Sequence, residues 1–124
     1  MIVLDVLLML LFLFIAYVYY RANKSVVYTV SKPFFIKLWM EHFKYDGLAT
    51  VWNTVYLKDC SKFSDQKLMR HETKHIEQMD RDGRAVWLVK YFYHWYKYGY
   101  SNIPYEIEAR KAEDERNYHH TRKR

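Results

Sequence analysis

The sequence predicts an α+β protein, with one N-terminal transmembrane helix followed by a small domain built from a short β-sheet and three or four helices. Three observations carry that reading. An almost uncharged apolar run opens the 124-residue chain; β-branched stretches bounded by turn residues follow; and from position 64 onward come three segments with helix caps and stops. At this length the chain holds a single globular domain. A composition that is 51% apolar and 19% aromatic, with three Gly and two Pro, excludes a disordered or low-complexity chain. Cys60 is the lone cysteine, so neither an intramolecular disulfide nor a cysteine-only metal site can form.

Residues 1–20 carry one charge, Asp5, before an unbroken apolar and aromatic run. At 1.5 Å per residue they make a helix of roughly 30 Å, the hydrocarbon thickness of a bilayer. A cleavable signal peptide calls for a basic start and small residues at its end. This segment has an acid at the start and Tyr17, Tyr19 and Tyr20 at the end. The expectation is therefore a retained anchor with an aromatic belt, a buried core helix being the alternative. All twenty Lys and Arg follow position 20, and Arg21, Lys24, Lys32 and Lys37 come soon after the span. The positive-inside bias then places the remainder, residues 21–118 and a basic tail at 119–124, on the cytoplasmic side of a single-pass protein.

Residues 25–31 read as a short strand. Residues 33–43 read as a helix opened by Pro33, with Phe35, Leu38 and Trp39 on one side. After a turn at Asp46 and Gly47, residues 48–59 read as one strand or as a hairpin pivoting on Asn53. A helix capped by Ser64 runs to the stop at Asp82 and Gly83. A third, Arg84–Tyr98, is aromatic almost all round; Lys90 and Lys97 share a face that suits either a lipid interface or water. Pro104 starts the last helix.

The second of these helices has few apolar residues, Leu68, Ile76 and Met79 being nearly all of them, so much of its inward face must be built from His71, Glu72 and His75. These belong to His71-Glu72-Thr73-Lys74-His75, the pattern H-E-x-x-H. Imidazoles four apart lie one turn apart on one face and can converge on one Zn²⁺, while Glu72 beside them is placed to serve as a general base. A catalytic zinc site takes three protein ligands. Glu106 and Glu108, 31 and 33 residues after His75, open the last helix on different sides, so one of them is the third ligand.

The combination RHETKHIEQ, then PYEIEA on a later helix, resembles the gluzincin group of zinc metallopeptidases, most closely its minimal forms, over about residues 47–115. The resemblance implies a zincin-like domain, His71, His75 and a later Glu as zinc ligands, and Glu72 as the base. Matching the group's Glu-x-x-Ala-Asp pattern on Ala109 makes Glu106 the ligand, with Glu108 in reserve. Where the group has Asp this chain has Arg110, which removes an acid that steadies a zinc-bound histidine; Glu108 or Glu113 are candidates to replace it. The resemblance further implies an edge strand that pairs with an extended substrate, for which residues 48–59 are the candidate. It also implies an oxyanion-stabilising Tyr or His, with His94, Tyr98, Tyr100 and Tyr105 available.

The reading that follows is a membrane-anchored metallopeptidase, with Zn²⁺ as cofactor and a peptide or protein substrate. Its rival keeps the metal and drops the chemistry: an inactive, zinc-stabilised, membrane-tethered binding module. Nucleic acid is not an expected partner, because the aromatics cluster in an apolar helix rather than alternating with basic residues.

Overall fold

The computed structural model describes residues 1–114. It is α+β, with five α-helices and one three-stranded sheet among the described residues. The expected basic tail at 119–124 and residues 115–118 lie outside the described residues.

Helix α1, Ile2–Ala22, is long and apolar enough to cross a membrane, a property it shares with signal sequences. Most of its surface is bare, but its C-terminal part meets the domain. Val18 is buried in the core, and the Phe14 ring meets Trp52 edge-on at 6.1 Å.

Strand β1 (Val27–Thr29), β2 (Gly47–Ala49) and β3 (Thr54–Leu57) form a sheet of order β1-β3-β2. β3 runs parallel to β1, with Tyr28 opposite Val55, and antiparallel to β2, with Leu48 opposite Tyr56. All four β3 residues are buried, because helices cover both faces of this central strand. Alternation sends Val55 and Leu57 into the main core with Ile76, Met79, Trp87 and Ile103, and Tyr56 the other way onto Ile36 and Met40. The last two belong to α2, Phe34–Phe43. The side that carries Phe35, Leu38 and Trp39 is exposed. In a helix this apolar two sides compete for burial, and the sheet takes the one that continues into Tyr45 and Leu48. Pro33 is the cap of α2, so the helix begins at Phe34, one position after the expected opening at Pro33.

The pivot of the hairpin is Asn53, fully buried with φ of 63°, in the left-handed region that Asn tolerates. Its Nδ2 donates to the carbonyl oxygens of Arg21 at 3.1 Å and Lys24 at 2.9 Å, tying the end of α1 to the β2–β3 turn. Asn53→Ala loses both bonds and strains the backbone. It is expected to lower stability by about 2–3 kcal/mol, and Asn53→Gly by less, as read from thermal unfolding.

Helix α3 spans Gln66–Asp82. Its cap is Asp65, whose carboxylate accepts from the Leu68 amide at 3.1 Å; Ser64, the expected cap, ends a preceding 3₁₀ turn. Gly83 (φ 89°) then turns the chain into α4, Arg84–Tyr98, and Gly99 (φ 82°) turns it again. Helix α5, Pro104–Glu113, folds back antiparallel onto α3. Ala109 and Ala112, both buried, let the two helices come close.

Candidate metal centre

The α3–α5 pair assembles the cluster. His71 and His75 project from one face of α3, and Glu106 meets them from the first turn of α5. Their ligand atoms all lie within 4.8 Å of one another. Both imidazoles turn Nε2 inward: His71 Nε2 is 2.9 Å from Glu106 Oε1, and His75 Nε2 is 3.0 Å from Glu106 Oε2.

The outward nitrogens are also engaged. His71 Nδ1 donates to Glu113 Oε2 at 2.7 Å, and His75 Nδ1 to Gln78 Oε1 at 2.9 Å. Gln78 is locked in turn. Its amide nitrogen donates to the Tyr105 carbonyl at 3.0 Å and to Glu108 at 2.9 Å, so its oxygen must accept, and Trp87 Nε1 also donates to that oxygen at 3.2 Å. With protons held on both Nδ1 atoms, the two Nε2 lone pairs face a carboxylate. Such an arrangement needs a cation between its members, either protons or a metal ion.

The electrostatics agree with that requirement. Burial works against charge on His71, but hydrogen bonds to Glu106 and Glu113 and the charge of Glu72 push it up to about 9. Burial also works against charge on His75, but its hydrogen bond to Glu106 and the charges of Glu106 and Glu72 raise it. Glu106 is held well below the usual carboxylate range: burial opposes this, and the hydrogen bonds from His71, His75 and Tyr91 outweigh it. A metal must therefore displace protons to bind. The apparent affinity for a divalent metal is expected to rise with pH through about 9, where His71 gives up its proton. Chelator competition across pH measures it.

Glu72 lies beside the cluster and bonds to neither imidazole. Its side chain is buried under the free edge of β2, where it accepts a hydrogen bond from the Ala49 backbone. Gly47 makes room for it: a Cβ there would come within 3.2 Å of Glu72 Cγ and of Leu68 Cδ1. Burial raises the Glu72 carboxyl above its ordinary value, and the two imidazoles partly offset the rise. A carboxylate shifted in that direction is a better proton acceptor near neutrality.

Glu72, His75 and Glu106 form the floor of a cleft of about 340 Å³ whose walls are otherwise largely apolar. Two carboxylates left open by the sequence are separated here. Glu106 faces the histidines, whereas Glu108 accepts from Gln78 and from Arg81 at 3.2 Å. Arg110 turns away and donates to the Ser101 carbonyl, while Glu113, one turn later, holds His71.

Of the four residues considered for the oxyanion role, Tyr100 lines the cleft. Tyr105 donates to Asp82 at 2.7 Å, and His94 stacks on Tyr98, neither of which lines it. Two tyrosines at the site escaped the sequence reading. Tyr91 donates to Glu106 Oε2 at 2.7 Å, and Tyr45 is hydrogen-bonded to Tyr100. Burial, then the Glu106 charge, pushes the Tyr45 hydroxyl up to about 12, so it remains a protonated donor. The spacing of Trp87, Tyr91 and Trp95 was the available signal, but in a helix aromatic on every side it does not stand out. Gln78, three residues after His75, was missed because glutamine in an exposed-looking helix carries no motif.

No protein-family model matches this chain, and no similar curated protein or solved structure is found.

Proposed function

We propose that the chain is a membrane-anchored, zinc-dependent peptidase of the gluzincin type, with a zincin-like domain at residues 21–118. The observation that carries this reading is the convergence of His71 Nε2, His75 Nε2 and the Glu106 carboxylate, with His75, Glu106 and the neighbouring Glu72 at the floor of a cleft. Two imidazoles and one carboxylate are the ligand set of a catalytic zinc, and Glu113 and Gln78 supply the outer partners that such histidines need.

Zinc in this set would supply an acidified water and a Lewis acid for the scissile carbonyl. The chain's own residues do the rest. The Glu72 carboxylate takes the proton from the attacking water and passes it to the leaving amine. The edge of β2 that no other strand covers offers the backbone groups not taken by Glu72 to an extended peptide. Tyr100 and Tyr45, both at the cleft and both protonated, are the donors for the developing oxyanion. The basic residues after α1 favour the cytoplasmic side for the domain through the positive-inside bias.

The test is hydrolysis of a quenched-fluorescence peptide library by the full chain in detergent: cleavage that stops with a chelator and returns with Zn²⁺ supports the reading, and its absence in metal-loaded protein refutes it. Arg110, where the gluzincin pattern has an acid, favours the second reading, an inactive zinc-stabilised module tethered to the membrane. That protein binds zinc and cleaves nothing.

A further inference from the structure

The cleft that leads to Glu72 has one wall made by α1. Phe14 lines its mouth together with Phe35 and Trp39 of α2 and with Phe92 and Trp95 of α4. The apolar side chains around this mouth are not covered: Phe35 is 63% exposed, and Val89 and Tyr96, on the same side of α4 as Phe92, are 70% and 92% exposed.

Length decides what covers them. Because Phe14 and Val18 engage the domain, the part of α1 that stands free of it is residues 2–13, about 18 Å of helix at 1.5 Å per residue. A hydrocarbon core of about 30 Å cannot be crossed with that. For α1 to span, residues 14–20 must also lie at bilayer depth, and whatever packs on them goes in with them. Arg21 and Lys24, the first cations after the run, mark the headgroup level, and Phe14 is roughly 10 Å of helix below Arg21. Lys97 lies over the Tyr93 and Tyr98 rings on the last turn of α4, a cation and aromatic pairing suited to the same level.

We infer that the domain is seated in the membrane interface on the exposed faces of α2 and α4, so that the mouth of the cleft opens into the bilayer surface beside α1. This rests on the membrane-anchored part of the proposed function and is independent of the metal. The occupant of the apolar face is lipid, continuous with the lipid around α1.

All four tryptophans of the chain, Trp39, Trp52, Trp87 and Trp95, line this cleft, so the unmodified protein reports on it. Reconstituted in phosphatidylcholine and phosphatidylglycerol vesicles brominated high on the acyl chains, the full chain is expected to lose about half its tryptophan emission, as for groups buried 5–10 Å into the interface. Nitroxides on single cysteines in a Cys60→Ser background give the location. Labels at Leu8→Cys, Phe35→Cys and Val89→Cys should be reached by oxygen and shielded from an aqueous nickel chelate, and one at Lys111→Cys, on α5 outside the cleft, should show the reverse. Lipid exposure at position 8 with water at 35 and 89, and unquenched tryptophan, means that the domain stands clear of the membrane and overturns the inference. Water at position 8 as well overturns the anchor itself. Spin–spin broadening at 35 or 89 that vanishes on dilution with unlabelled protein means that a second copy covers the face, and also overturns it.

Discussion

Replacing Glu72 with Gln is expected to leave the metal bound and the fold intact while peptide hydrolysis falls by about 10³-fold, within the range for loss of a general base. The separation of effects follows from position. Glu72 makes no bond to His71, His75 or Glu106 among the described hydrogen bonds, and its own partner is the Ala49 backbone. An amide of the same shape retains the place under β2 but cannot accept the proton of the attacking water. Metal content by elemental analysis and turnover of the zinc-loaded chain are measured on the same preparation. Full metal with unchanged turnover removes Glu72 from the mechanism, and a wild-type chain that holds zinc without turnover leaves the structural module as the answer.

The second large effect separates the two carboxylates of α5. Glu106→Ala removes a group whose two oxygens face both imidazoles and accept from Tyr91, so zinc binding is expected to be lost. With both histidines then deprived of their counter-ion in a buried site, the metal-free fold weakens by about 3 kcal/mol. Glu108→Ala breaks a half-exposed pair with Arg81 and one bond to Gln78, and should retain the metal at a cost of at most about 1 kcal/mol. Metal content and thermal unfolding of the two variants, side by side, read both effects. Loss of metal in Glu108→Ala and not in Glu106→Ala would move the ligand to the other side of the helix.

Much of this was readable beforehand for definite physical reasons. The apolar helix at the N-terminus follows from an almost uninterrupted apolar run, and helix limits at Gly83 and Gly99 from the positive φ that glycine adopts without strain. The pair His71 and His75 is local, set by the 3.6-residue repeat of one helix. What was not readable depended on which surface of an element meets another. In α2 and α4, apolar on nearly every side, the pattern cannot say which face is buried, and so Ile36 and Met40 went unnoticed and Tyr91 was passed over.

The amino-acid order alone determined the apolar N-terminal helix, the mixed α and β segments and the two imidazoles with a carboxylate between them, because each is a property of a local run of chain. Tertiary structure decided the rest: that Glu106 faces the histidines and Glu108 faces Arg81, that Glu113 and Gln78 hold the outer nitrogens, and that Phe14 of α1 lines the cleft. This brings residues up to 92 positions apart, Phe14 and Glu106, to one cleft, and is set by how closely α5 packs on α3 and where α1 docks. Both depend on small or buried side chains, Ala109, Ala112 and Val18, whose partners no local repeat can name.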